Sequence, residues 1–312
     1  MRGLFDYEYQ LELINKHQPP LQKLDKVIDW EVFRTTLEEA FAIEAKAPGG
    51  RPPFDRVMMF KIVILQRYYN LSDEQTEFQI KDRLSFQQFL GLQIGDKVPD
   101  EKTIWLFKEQ LKEKKLSKKL FELFIKILIS NGIIAKEGSI VDASFVNVPI
   151  NRNTREENET LKQGNIPESF ESNPAKTKLI TKFTTTTANV HDSQALEEIV
   201  NRDDKRLFAD SAYSGKTIQG YLNFKNVKNF IHEKGYRNSP LNFEQMTKNT
   251  LKSKVRSRVE HVFGFMTNSM NNGLNLRAIG KKRIDSLVAL LNLTYNMCRY
   301  EQLVRLQKIK MI

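Results

Sequence analysis

The chain has 312 residues, with 49 Lys and Arg against 38 Asp and Glu, so its formal net charge is +11. At 40 % hydrophobic and 28 % charged residues it has the composition of a globular protein, long enough to bury a full core and to hold two domains. The single cysteine, Cys298, excludes an internal disulfide and any cysteine-rich zinc site, and it fits a reducing cytoplasm.

The opening residues MRGLFDYEYQ contain no continuous apolar run, so no secretory signal is expected. Up to about Gly132 the hydrophobic period is helical. Asp29 is placed to cap a helix from Trp30 to about Ile43, and the breaker APGGRPPF follows. A helix from about Asp55 to Tyr69 is apolar almost all round, which predicts the buried centre of this region. Ser72 and Gln75 have the spacing of a capping box. LSFQQFLGL and PDEKTIWLFKEQL predict two short helices, and Leu116 to Ser130 a longer one. Short helices joined by tight turns suit either a helix-turn-helix DNA reader or a plain bundle.

From Gly138 the period changes. SIVDASFVNV, KLITKFTTTT, KRLFAD and KNVKNFIHE have strand composition, and NVHDSQALEEIV predicts a helix between the second and third of them. Residues 147–177 form a polar stretch with one aromatic residue and no usable period, predicting a loop. The reading is an α/β protein: an all-α domain over residues 1–135, then a mixed-sheet domain over 136–312. Of the net charge, +9 lies between Leu241 and Ile312, where 13 Lys and Arg face 4 Asp and Glu. A one-sided basic surface of this kind suits a polyanion such as nucleic acid, although a solvated basic surface is the plainer explanation.

Three acids stand out against that background. Asp142 and Asp210 each close a short apolar run, and Glu260 lies in the basic helical stretch LKSKVRSRVEHVFGFM. Three carboxylates brought together can hold two divalent cations, the machinery of in-line attack on a phosphodiester. Each has a duller reading: Asp142 and Asp210 as turn or capping residues, Glu260 as an i,i+4 partner of Arg256. Val255, Val259, Val262 and Met266 define a buried helical stripe with Glu260 at its border. His191 and Asp192 are metal-ligand candidates better explained as a helix start, while His17 and His232 look isolated. No zinc-type spacing and no phosphate-binding glycine loop occurs.

GSIVDAS, TTANVHDSQAL, FADSAYSG and RSRVEHVFGFM, in this order, resemble the DDE-type transposases of bacterial insertion sequences, specifically the IS-four/IS-five superfamily. The helical leader and the ending LVALLNLTYNMCRY are similar to that group too. The resemblance implies a ribonuclease-H-like catalytic domain in which Asp142, Asp210 and Glu260 hold two Mg²⁺ ions, with Mn²⁺ a substitute. It further implies double-stranded DNA partners (terminal inverted repeats and target), cleavage and strand transfer, and a homodimer or higher assembly on paired ends. Arg256 becomes a phosphate contact, Arg258, Lys252 and Lys254 neighbouring DNA contacts, and Tyr213 either a DNA-positioning or a packing residue.

The chain departs from that pattern in one stretch. Relatives carry an aromatic-rich second strand between the two aspartates, which has no counterpart here, and Ser253 and Thr267 replace the tyrosine and the basic residue expected around Arg256 and Glu260. The expectation is an internally deleted copy, one strand short, with catalysis weakened or lost. The alternatives are a non-catalytic DNA-binding protein and a host nuclease of the same fold.

Overall fold

The computed structural model describes residues 6–41, 53–93, 95–134, 139–142, 177–186, 192–200, 204–237, 239–309 and 311. The breaker at 47–52, the strand reading over 143–148, His191 and all of the polar stretch except Thr177 lie outside these residues.

Helices α1 (Asp6–Lys16), α2 (Pro20–Val27), α3 (Arg34–Phe41), α4 (Arg56–Tyr69), α5 (Asp73–Asp82), α6 (Leu84–Leu90), α7 (Glu101–Glu113) and α8 (Leu116–Ser130) make the first part of the chain. Local signals set their ends. Asp29 accepts from the Glu31 amide at the start of a 3₁₀ turn that leads into α3. The Asp55 carboxylate accepts from the Met58 amide, and Asn70, left-handed at φ 49°, ends α4. The Ser72–Gln75 capping box is present in both directions.

The centre of this helical bundle is filled from the far end of the chain. Helix α12 (Lys281–Arg305) inserts Leu287, Val288, Leu290, Leu293, Met297 and Tyr300 among Phe33, Phe60, Phe86, Phe89 and Phe124, all buried. Fully burying such side chains stabilises by about 1.5–3 kcal/mol each. Phe124 and Tyr300 meet edge-on at 6.2 Å, and the Ser117 and Ser286 hydroxyls are 2.6 Å apart. Helices α4 and α12 are buried nearly all round, as their apolar sequences require.

A small sheet lies beside the bundle. Strands β1 (Ser139–Ile140), β2 (Arg206–Phe208) and β3 (Lys228–Asn229) pair in the order β1-β2-β3, both pairs parallel. Helix α9 (Leu196–Ile199) precedes β2, and α10 (Lys216–Phe224) returns the chain from β2 to β3. Val141, Leu196, Leu207, Ala209, Leu222, Val227 and Ile231 form their core. Among the described residues the sheet is thus parallel, where a mixed sheet is predicted. Between β2 and β3 the reason is the α10 crossover, which brings the chain back to the same edge before β3 begins.

KLITKFTTTT also differs from expectation: residues 178–186 form no strand. Their backbone groups bond to side chains of α12. The Tyr295 hydroxyl donates to the Lys178 carbonyl at 2.7 Å, and Arg299 Nε to the Thr177 carbonyl at 2.7 Å. Asn296 both accepts from and donates to the Ile180 peptide. Leu179, Ile180 and Phe183 pack on the large core, with Phe183 edge-on to Phe121.

Helix α11 (Phe243–Asn268) is opened by an Asn242–Gln245 capping box. Its buried Val262 and Met266 pack with Met270, Leu291 and Tyr295. Gly273 follows, where a Cβ would meet Leu291 Cδ1 at 3.0 Å and the Met266 carbonyl at 3.2 Å, so a larger residue would have to push those neighbours aside.

Candidate active site

The parallel register decides what stands at the sheet edge. Ile140 pairs with Phe208 and Leu207 with Asn229, so two and three residues further on Asp142, Asp210 and His232 fall in one row. The pairing continues past the strands proper: Val141 N–H donates to the Phe208 carbonyl at 2.9 Å and His232 N–H to the Ala209 carbonyl at 3.1 Å. Neighbouring members of the row are separated by one strand spacing, about 4.8 Å. Carboxyl ends of parallel strands are where open sheets place their chemistry.

Helix α11 crosses this edge with one polar stripe, Asn249, Lys252, Ser253 and Arg256, at i, i+3, i+4 and i+7. Asn249 brackets the Glu233 peptide, accepting from its N–H and donating to its carbonyl, both at 3.0 Å. Lys252 Nζ donates to the Ile231 carbonyl at 2.8 Å, and Ser253 Oγ lies 3.3 Å from His232 Nε2. Arg256 Nη2 lies 3.5 Å from Asp142 Oδ2 and 3.5 Å from Asp210 Oδ2. One guanidinium nitrogen therefore joins the two aspartates predicted to act together.

Asp210 holds its place by a second bond. Its Oδ1 accepts from the Ser211 amide and caps the 3₁₀ turn Ser211–Tyr213, which leaves Oδ2 for Arg256. The turn-capping reading and the site reading are thus both realised, by different oxygens. Burial raises the Asp210 carboxyl, but Arg256 and the Ser211 amide outweigh it and hold the group below the usual carboxylate range. His232 is kept below the ordinary imidazole value by burial first and then by Arg256, with Asp210 opposing.

The third predicted acid stands apart. Glu260 follows Arg256 by one turn on α11 and is exposed. Among the described residues no three His, Cys, Asp or Glu side chains come close enough to hold a metal ion. Two hard carboxylate oxygens meeting at one point suit a divalent cation, so Asp142 and Asp210 fit that part of the expected site. Glu260 does not complete it in this arrangement. Val262 and Met266 of the predicted stripe are buried and Val255 and Val259 half-buried.

The basic residues divide. Lys254 is exposed, whereas Arg256 and Arg258 are half-buried and Lys252 is spent on the β3 end. Tyr213 is 4 % exposed within the small core, so it packs and presents no surface for DNA; the apolar body of its ring fills the space behind the Asp210 turn. His232 and Asn249 are the site residues that sequence reasoning missed. The available signal was that His232, like Asp142 and Asp210, directly follows a short apolar run.

No described helix is long and apolar enough to cross a membrane. Residues 8–110 match the family model described as a transposase domain (DUF772), and residues 174–297 match that of a transposase DDE domain. Asp210, Arg256 and Glu260 fall inside the second match, and Asp142 precedes it. No solved structure matches the chain. Two transposase family models, matched one after the other along a chain whose aspartates meet at a sheet edge, support a DDE-type transposase.

Proposed function

We propose that this protein is the transposase of an insertion sequence, which binds the element's terminal inverted repeats and target as double-stranded DNA and cuts and transfers their strands. The observation that carries the reading is the meeting of Asp142 and Asp210 at Arg256, on a helix rich in lysine and arginine. In this reading residues 1–135 are the candidate end-binding domain and 136–312 the ribonuclease-H-like catalytic domain. A homodimer or higher assembly would hold the paired ends, in the cytoplasm.

The aspartate pair would hold a divalent cation, Mg²⁺ or Mn²⁺, with Glu260 brought in once DNA is bound. Such ions supply activation of the attacking water or 3′-hydroxyl and stabilisation of the leaving oxygen. The chain's own groups do the rest. Asp210 keeps its charge through the Ser211 amide, and Arg256 compensates the two carboxylates while the edge is free. When a phosphate arrives, the same guanidinium is within reach to bind it. Lys254 and Arg258 would flank the DNA path.

A second reading has its own support. Arg256 lies where a cation would sit, Glu260 stays out, and residues 178–186 form no strand. These features favour an internally deleted copy that binds element ends without cutting them. The test is cleavage of DNA carrying those ends in Mg²⁺ or Mn²⁺, comparing wild type with Asp142→Asn, Asp210→Asn and Glu260→Gln. Cleavage lost in all three variants supports the enzyme; binding without cleavage in all four proteins supports the deleted copy; no binding to the ends defeats both.

A further inference from the structure

Arg258, His261 and Phe265 follow one another at i, i+3 and i+7 on the side of α11 turned away from Arg256. There α11, α12 and the segment at Lys178 enclose a cavity of about 200 Å³. Its walls are Lys178, His261, Phe265, Tyr295, Arg299 and Gln302, with no carboxylate among them. Phe265 and Tyr295 meet edge-on at 5.6 Å and form the apolar side.

The cationic side is built rather than incidental. Lys178 is held in the left-handed region, φ 55°, with its carbonyl bonded by the Tyr295 hydroxyl. Arg299 is anchored through the Thr177 carbonyl and through Gln302 Oε1 at 2.9 Å. Among the described residues Lys178, Arg258 and Arg299 have no carboxylate partner, and Arg258 Nη1 is buried with nothing to donate to. Burial first, then Arg299, Arg258 and Lys308, holds the Lys178 ammonium below its usual range. Like charges gathered in a half-buried pocket repel one another. A bound oxyanion relieves that repulsion. Arginine and lysine donors converging from two chain segments match the several acceptor oxygens of a phosphate group.

We propose that this cavity is a phosphate site, in which Lys178 and Arg299 hold a backbone phosphate of DNA away from the carboxylate edge. It rests on the DNA-binding reading and extends it: the phosphate taken here lies on the opposite face of α11 from Asp142 and Asp210, so it anchors the duplex and is not the one attacked.

The test compares full-length wild type, Lys178→Gln and Arg299→Gln for binding of a fluorescent linear duplex across a salt series. Melting in sodium phosphate against sodium chloride of equal ionic strength is measured alongside. One lost phosphate contact lowers the slope of log K against log salt by about 0.9. The proposal expects that drop in Lys178→Gln, whose backbone bonds are retained, together with a phosphate-specific rise in melting temperature that wild type shows and the variant lacks. An unchanged slope and no phosphate-specific rise overturn it. An unchanged slope with the rise intact assigns the cavity to free phosphate and overturns the backbone assignment. If wild type binds no duplex but keeps the rise, the DNA reading fails while the phosphate site stands.

Discussion

Asn296 of α12 brackets the Ile180 peptide, its Oδ1 accepting from the Ile180 N–H at 2.8 Å and its Nδ2 donating to the Ile180 carbonyl at 2.7 Å. The amide is fully buried, so it does for this segment what a neighbouring strand would do. Asn296→Leu should leave both peptide groups orphaned and cost about 1–3 kcal/mol. Urea denaturation measures it, and a variant as stable as wild type would mean that the segment is held some other way.

Arg256→Gln should remove the guanidinium that lies within 3.5 Å of both Asp142 and Asp210. Without divalent cation the variant should melt below wild type. Millimolar Mn²⁺ should then raise its melting temperature more than that of wild type, because an ion that binds only the folded state stabilises by mass action. An equal response in the two proteins would show that the guanidinium does not compete with a cation for the aspartates.

Acid should loosen the tie between α7 and α12. Arg283 donates to Glu109 through Nε at 2.7 Å and Nη2 at 3.0 Å. These bonds outweigh the effect of burial and, with Lys112, hold the Glu109 carboxyl at about 2 against an ordinary 4.5. A carboxyl lowered on folding contributes stability above its unfolded value and loses it as pH falls toward the folded one. The stability advantage of wild type over Glu109→Gln, complete at neutral pH, should shrink between about pH 4.5 and 2. Melting curves across that window would refute the assignment if the gap stayed constant.

Cys298 should be chemically silent. It is 7 % exposed on α12, and burial pushes its thiol well up. A disulfide reagent at pH 8 should react only at the rate at which the bundle opens, rising in step with denaturant. Rapid stoichiometric labelling in buffer would place α12 elsewhere.

What could be read in advance was local. The Asp29 cap, the Ser72–Gln75 box and the bounds of α8 rest on contacts within a few residues, and each stands where its signal lies. The pairing of Asp142 with Asp210 was legible because both end apolar runs, and parallel register levels such ends. His232 follows a two-residue strand too short to show a period, and only the register reveals its place. KLITKFTTTT has the composition of a strand, but composition does not say whether a partner edge exists. Here the partners are Tyr295, Asn296 and Arg299, more than a hundred residues away. The helical wheel put Glu260 at the border of the stripe of Val255, Val259, Val262 and Met266; its exposure depends on where α11 leaves the sheet edge, a tertiary fact.

Helix α12 follows α1 to α8 by well over a hundred residues, yet its side chains fill the middle of the bundle those helices wall. During translation of the intervening residues, Phe33, Phe60 and Phe124 would have surfaces to pack but no centre to pack on. The nascent helices must wait, exposed to chaperones and proteases, for a partner well over a hundred codons downstream. A message interrupted before Lys281 would therefore yield no stable helical fragment, and the bundle cannot close until α12 has been made.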